Sequence, residues 1–141
     1  MCFGFECLEN FVNKIKKNNT KILGVSILTS MDNTQTKKYY NQKNLSQLVR
    51  KFAIFARENK LDGVVCSPKE IREIRKATGK NFIIVTPGIR IDNQIKNDDQ
   101  KRVETPQNAI KMGANYLVIG RPITEAEDPL KVLKEINKTL I

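Results

Sequence analysis

Two short stretches of this sequence place a glycine and an arginine directly after an apolar, strand-like run. The first reads IVTPGIR at residues 84–90, and the second reads YLVIGR at residues 116–121. Guanidinium groups donate paired hydrogen bonds to phosphate oxygens, and glycine lets the backbone approach a ligand closely. The pattern therefore predicts that the two strand ends share one anion, with phosphate the best fit.

A polar segment, IDNQIKNDDQKR at residues 91–102, separates the two stretches. It is too polar to pack and long enough to fold over a ligand as a lid, with Gln100 as a neutral donor. We therefore predict a phosphate site formed by Arg90, Gln100, Gly120 and Arg121. The alternative is that both arginines are ordinary surface residues that follow strand ends.

Other strand ends carry weaker candidates. Thr29 and Ser30 could hydrogen-bond the polar edge of a ring, although such a pair more often only terminates a strand. Cys66 is expected to be a small strand-end residue and not a nucleophile, because nothing nearby in sequence would deprotonate it. The acidic residues in the loops are interpreted as turn formers: Asp32, Asp98 and Asp99.

Composition excludes several classes of site and partner. The 141 residues contain no histidine, which removes Ser-His and Cys-His nucleophile pairs and histidine metal sites. The formal charge is +10, but the lysines are scattered without interleaved aromatics, which favours solvated faces over nucleic-acid binding. No apolar run approaches the ~20 residues of a membrane helix. Three cysteines without CxxC spacing suit a reducing cytoplasm.

The spacing of apolar residues predicts alternating strands and helices. Strands are expected at KILGVSIL (21–28), DGVVCS (62–67), FIIVT (82–86) and NYLVIG (115–120). Residues 44–60 have helical spacing, and a helix-like segment, CLENFVNKIKK, precedes the first strand. Three Ser/Thr/Asp-Pro pairs predict further helix starts, at Ser67, Thr105 and Asp128. Ile71, Ile74 and Ile110 are expected to face inward, as are four residues of the last helix: Leu130, Leu133, Ile136 and Leu140.

Four βα units in a row predict an α/β fold with a parallel sheet covered by helices. We expect a single partial (β/α) barrel domain over residues 1–141, half of an eight-fold barrel, because the phosphate loops of Rossmann and P-loop folds are absent. In such barrels, sites lie at the carboxyl ends of the strands. The residues expected there include Thr29, Ser30, Cys66, Pro87 and Gly120.

Several long, ordered segments closely resemble orotidine 5′-phosphate decarboxylases of the bacterial type. They are LGVSILTSMD, LDGVVCS, VTPGIR, DDQKRVETPQNAIKMGANYLVIGRPIT and DPLKVLKEIN, from about Lys21 to the C-terminus. CLENFVNKI is similar to the helix before the fifth barrel strand. The resemblance implies strands five to eight of a (β/α)₈ barrel. It also implies a carboxy-lyase that converts orotidine 5′-monophosphate to UMP and CO₂ without metal or organic cofactor.

The resemblance also implies roles for individual residues. Thr29 and Ser30 would border the pyrimidine, and Pro87 would pack near the base. The phosphate contacts would come from the set already predicted: Arg90, Gln100, Gly120 and Arg121. The loop between Arg90 and Gln100 is about one residue longer than is usual in the family, which leaves the position of Gln100 open.

The family's acid-base array is absent from this sequence. Its chemistry depends on an Asp and a Lys of the first two strands and on a D-x-K-x-x-D stretch at the third, and no D-x-K-x-x-D occurs here. We therefore expect a C-terminal half that is inactive without a complementary N-terminal half. The alternatives are a decayed remnant that at most binds nucleotide phosphate, and another phosphosugar-binding barrel such as a hexulose-phosphate synthase.

A half-barrel also leaves open strand edges and a bare apolar face. The sequence predicts that five side chains lack partners on that face: Val25, Ile27, Val64, Ile83 and Val118. We therefore expect the chain alone to be oligomeric or poorly soluble.

Overall fold

The structure, a computed structural model, describes residues 5–15, 19–91 and 102–140. Its centre is a four-stranded parallel sheet in the order β1-β2-β3-β4. The strands are short: β1 is Leu23–Val25, β2 is Gly63–Val65, β3 is Ile83–Thr86 and β4 is Tyr116–Leu117. The fold is thus the α/β type with neighbouring parallel strands that the sequence predicts.

Helices connect and flank these strands. They are α1 (Phe5–Ile15), α2 (Asn33–Tyr40), α3 (Leu45–Glu58), α4 (Ile71–Thr78), α5 (Pro106–Met112), α6 (Arg121–Thr124) and α7 (Pro129–Lys138), with a 3₁₀ turn at Pro68–Glu70 before α4. All three predicted Ser/Thr/Asp-Pro starts are N-caps. The Ser67, Thr105 and Asp128 side chains each accept a backbone N–H of the following turn.

Helix α2 is an element that we did not predict. Asp32, interpreted above as a turn former, is its N-cap, and the Asp32 carboxylate accepts the Gln35 N–H at 3.0 Å. The Gln35 side chain in turn accepts the Asp32 N–H at 3.1 Å, which completes a capping box. The D-x-x-Q spacing was therefore a readable helix signal.

The core lies between the sheet and helices α3 and α4. Ile71, Ile74 and Ile84 are fully enclosed there. One face of α3 joins them as the spacing predicts, through five buried residues: Leu45, Leu48, Val49, Ala53 and Ala56. The predicted inner face of α7 is mostly wrong, since Ile136 is buried but Leu130 and Leu133 are 60% and 41% exposed. Ile110 is also 37% exposed and does not lie inside.

The two faces of the sheet are covered unequally. In the register Gly24↔Val64↔Ile84, Val64 and Ile84 are buried against the helices. On the opposite face, Val25 and Val118 are 68% and 51% exposed. The prediction of a bare face is therefore right for Val25 and Val118 and holds partly for half-buried Ile83. It is wrong for Ile27 and Val64, which belong to the core.

Candidate functional site

The parallel direction of the strands brings their carboxyl ends to one edge of the sheet. Strands β3 and β4 are neighbours there, because the Val118 N–H donates to the Thr86 carbonyl at 2.9 Å. Pro87 and Gly88 follow Thr86 directly, and Gly120 comes two residues after Val118. Both glycine-arginine stretches therefore begin at adjoining strand ends, as a shared anion site requires.

Thr29 and Ser30 lie in a turn beyond β1, on the same edge of the sheet. The Met31 N–H donates to the Leu28 carbonyl at 3.0 Å and closes this turn. Thr29 is buried, whereas Ser30 is half-buried. Strand β2 separates this turn from the stretch after β3, so Thr29 and Ser30 lie at a different place along the edge from Pro87 and Arg90.

Cys66 follows β2 and is enclosed by the core. Burial raises the pKa of its thiol to about 12, and the nearby Glu70 carboxylate adds to this rise. The thiol is therefore protonated at neutral pH, in agreement with the expectation that Cys66 is not a nucleophile. Within the described ranges, no group of three or more Cys, Asp or Glu side chains is arranged to hold a metal ion.

The stretch after β3 is fixed by backbone hydrogen bonds to the segment that follows the polar loop. Gly88 has φ = +77°, a left-handed conformation that glycine adopts without strain. Its carbonyl accepts the Glu104 N–H at 3.1 Å, and the Arg90 N–H donates to the Glu104 carbonyl at 2.9 Å. The Arg90 side chain is buried, with Nη1 donating to the Ile89 carbonyl at 2.9 Å.

The stretch after β4 turns directly into a short helix. The Gly120 carbonyl accepts the Ile123 and Thr124 N–H groups at 2.8 and 3.0 Å, so α6 begins at Arg121. Among the described residues, no heavy atom would lie within 4 Å of a Cβ added at Gly120. The packing of this part of the chain therefore leaves room beside the glycine, as an approaching ligand would need. Arg121 is half-buried next to it.

Three of the predicted phosphate ligands, Arg90, Gly120 and Arg121, therefore follow adjoining strands. Pro87 is half-buried at the start of the first stretch. Gln100 lies outside the described residues, as do Asp98 and Asp99.

The segment predicted as too polar to pack contains a buried residue at its end. Arg102 is only 7% exposed, and its Nη1 donates to Glu70 Oε1 at 2.7 Å. The prediction is therefore wrong for Arg102. Burial raises the pKa of the Glu70 carboxyl above its usual range, while the charge and hydrogen bond of Arg102 oppose that rise. The reasoning from sequence missed this pair because neither residue stands in an apolar pattern.

A family model covers nearly the whole chain. The family model described as Orotidine 5′-phosphate decarboxylase / HUMPS family matches residues 1–136. The chain belongs to this decarboxylase/HUMPS family. The family predicted from the LTS, TPGIR and GRPIT segments is thus confirmed.

Curated members of the family align along most of this chain. The orotidine 5′-phosphate decarboxylase of Coxiella burnetii is 44% identical over 141 residues, which cover 97% of this chain and 59% of that protein. The enzyme of the same name from Neisseria meningitidis is 43% identical over 117 residues, covering 83% of this chain and 48% of that protein. The chain thus spans 48% to 59% of these relatives' length, and the matched part is their C-terminal portion.

Solved structures of family members share the fold. The orotidine 5′-phosphate decarboxylase of Lactobacillus acidophilus superposes with a TM-score of 0.77 at 28% identity, covering 97% of this chain and 59% of that chain. The enzyme from Pyrococcus horikoshii gives 0.60 at 24% identity over 88% of this chain and 52% of that chain, a likeness of fold alone. These neighbours are TIM barrels, so the four βα units here are part of a family barrel.

None of the helices in the described part of the chain combines the length and the apolarity that a membrane crossing requires.

Proposed function

We propose that this chain supplies the substrate-binding part of an orotidine 5′-phosphate decarboxylase in pyrimidine biosynthesis. The phosphate of orotidine 5′-monophosphate or UMP would be bound by Arg90, Gln100, Gly120 and Arg121. Thr29, Ser30 and Pro87 would contact the base. We place this activity in the cytoplasm, with no metal or organic cofactor.

One observation carries the phosphate assignment. Arg90 follows β3, Gly120 and Arg121 follow the neighbouring β4, and no heavy atom of the described residues would lie within 4 Å of a Cβ added at Gly120. A backbone N–H and guanidinium groups at neighbouring strand ends are donors that suit a doubly charged phosphate. The net charge of +10 further favours an anionic ligand.

Decarboxylation needs groups that this sequence does not supply. Expelling CO₂ from the substrate requires carboxylates whose negative charge repels the substrate carboxylate, and a lysine that protonates the carbanion. No D-x-K-x-x-D stretch is present to provide them. We therefore propose that catalysis requires a complementary N-terminal half, which would pair with the sheet and cover its exposed face at Val25 and Val118.

Calorimetric titration of the 141-residue chain tests the binding proposal. UMP is expected to bind, and uridine, which lacks the phosphate, at least tenfold more weakly. Arg121→Ala should reduce UMP affinity by ~10²-fold, because hydrogen bonds to charged groups contribute about 1.5–3 kcal/mol. Lys134→Ala, which removes an exposed cation from α7, is the matched control. Equal UMP affinity for Arg121→Ala, or a preference for a hexulose phosphate, would contradict the assignment.

Activity measurements test the second part of the proposal. The purified chain is expected to release no CO₂ from orotidine 5′-monophosphate, and co-expression with the N-terminal portion of the Coxiella relative should restore release. Turnover by the chain alone would show that the catalytic groups lie within it. Size-exclusion chromatography should show self-association of the chain alone, and a monodisperse monomer would contradict the prediction from the exposed face.

A further inference from the structure

The Arg102 side chain contacts two separate parts of the carboxyl edge. Its Nη1 donates to Glu70 Oε1 at 2.7 Å, and its Nη2 donates to the Leu28 carbonyl at 2.7 Å and the Ile27 carbonyl at 3.3 Å. Leu28 immediately precedes the Thr29-Ser30 turn. The guanidinium thus joins the end of β1 to the turn that follows β2.

The backbone around Arg102 is held to the same edge. Ser67 Oγ donates to the Arg102 carbonyl at 3.4 Å. Two residues later, Glu104 exchanges backbone hydrogen bonds with Gly88 and Arg90. Arg102 therefore connects the segment that carries Thr29 and Ser30 to the backbone that fixes Arg90.

The Glu70–Arg102 pair is costly to bury. Their side chains are 4% and 9% exposed, and Glu70 Oε2 and Arg102 Nε have no hydrogen-bond partner among the described residues. A buried ion pair is often no more stabilising than apolar residues of similar volume, and its best-attested use is to fix one arrangement over others. Because the Glu70–Arg102 pair lies at the carboxyl edge, the arrangement that it fixes is that of the candidate site.

We propose that Arg102 and Glu70 are positioning residues that hold the Thr29-Ser30 turn and Arg90 at a fixed separation. The inference rests on the proposed function, because that separation matters only to a ligand that spans both places. Neither residue touches the substrate in this role. UMP reaches both places, whereas inorganic phosphate occupies only the Arg90 and Arg121 end. Holding the two places at the right separation before the ligand arrives therefore favours the binding of UMP over the binding of inorganic phosphate.

The test compares Arg102→Lys with Arg75→Lys. Arg75 makes a similar set of side-chain-to-backbone bonds at the opposite edge of the sheet. Arg102→Lys should weaken UMP binding about tenfold and change phosphate affinity less than twofold. Arg75→Lys should lower the urea midpoint of unfolding and leave both affinities unchanged. Glu70→Gln, which keeps the shape of the side chain, should lower UMP affinity by a smaller factor in the same direction.

Amide hydrogen exchange provides a readout that needs no ligand. Arg102→Lys should speed exchange at the Met31 and Arg90 amides, which close the turn and bond Glu104. Arg75→Lys should instead affect the Ile84 amide, which donates to Asn115 at the amino edge.

The outcomes separate the two proposals. If the unaltered chain binds neither UMP nor phosphate, the proposed function fails, while the exchange pattern still decides whether Arg102 holds these segments. Equal loss of UMP and phosphate affinity in Arg102→Lys would overturn the positioning role. Unchanged exchange at Met31 and Arg90 would overturn it as well. If Arg102→Lys does not fold, Glu70→Gln decides by the same two measurements.

Discussion

At the amino ends of the strands, Arg75 is surrounded by acceptors from its own chain. Its Nη1 donates to the carbonyls of Gly79, Lys80 and Phe82, and its Nη2 donates to the Gly113 carbonyl and Asn115 Oδ1. At the carboxyl ends, Arg90 and Arg121 follow the neighbouring strands β3 and β4, and a Cβ added at Gly120 would meet no heavy atom of the described residues within 4 Å. Arg75 thus serves folding at the amino edge, whereas Arg90 and Arg121 lie at the edge where barrel proteins place their sites.

Two glycines show the same contrast. A Cβ at Gly63, the first residue of β2, would lie 2.1 Å from the Ile83 carbonyl oxygen. At Gly120 the equivalent position has no heavy atom of the described residues within 4 Å. Glycine is needed at Gly63 because a neighbouring strand occupies the space, whereas no described neighbour requires glycine at Gly120.

The largest expected effect comes from Gly63→Ala. The backbone clash with Ile83 should cost about 3 kcal/mol or more of unfolding free energy, because β2 and β3 must separate to admit the methyl group. Urea unfolding monitored by circular dichroism measures this loss. Gly120→Ala is the matched control and should keep wild-type stability while binding UMP more weakly. Equal destabilisation by both substitutions would contradict the proposed difference between Gly63 and Gly120.

Arg75→Ala should have the next largest effect. Removing its bonds to four carbonyls and Asn115 should reduce the unfolding free energy by about 2–3 kcal/mol, a modest figure because water reaches part of the site. UMP affinity, measured by calorimetry, should remain within twofold of wild type. Arg121→Ala should show the reverse pattern, with little change in stability. A large loss of UMP affinity in Arg75→Ala would show that the amino edge also shapes the ligand site.

The smallest effect concerns Cys66. Because its pKa is raised from 9.0 to about 12 in the folded chain, the unfolded state loses its proton first as the pH rises. The contribution of the protonated Cys66 thiol to the unfolding free energy is therefore intact below pH 9. Above that pH it falls by at most about 1.4 kcal/mol per pH unit, up to the pKa of the folded chain. Urea unfolding at pH 8 and pH 10 should show a smaller loss in Cys66→Ala than in the unaltered chain. Identical pH slopes would indicate that the thiol is accessible to water.

The sequence predicted the features that depend on neighbouring residues. Helix starts at Ser67, Thr105 and Asp128 were predictable because a cap is satisfied within its own turn. Helix α2 was equally readable from Asp32 and Gln35 and was overlooked. Strand lengths were predicted too long, since KILGVSIL contributes only Leu23–Val25 to the sheet. The bounds of a strand depend on the neighbouring strand, and the apolar sequence alone does not specify that neighbour.

The order of the βα units and the family were readable in the chain itself, because caps, apolar runs and the TPGIR and GRPIT segments are contiguous. Only the tertiary structure decided which arginines serve the fold. Arg102 stands in a polar run and meets Glu70 across 32 positions of sequence. Burial and hydrogen bonding are set by such distant partners, so residue type and local spacing do not distinguish a buried arginine from an exposed one.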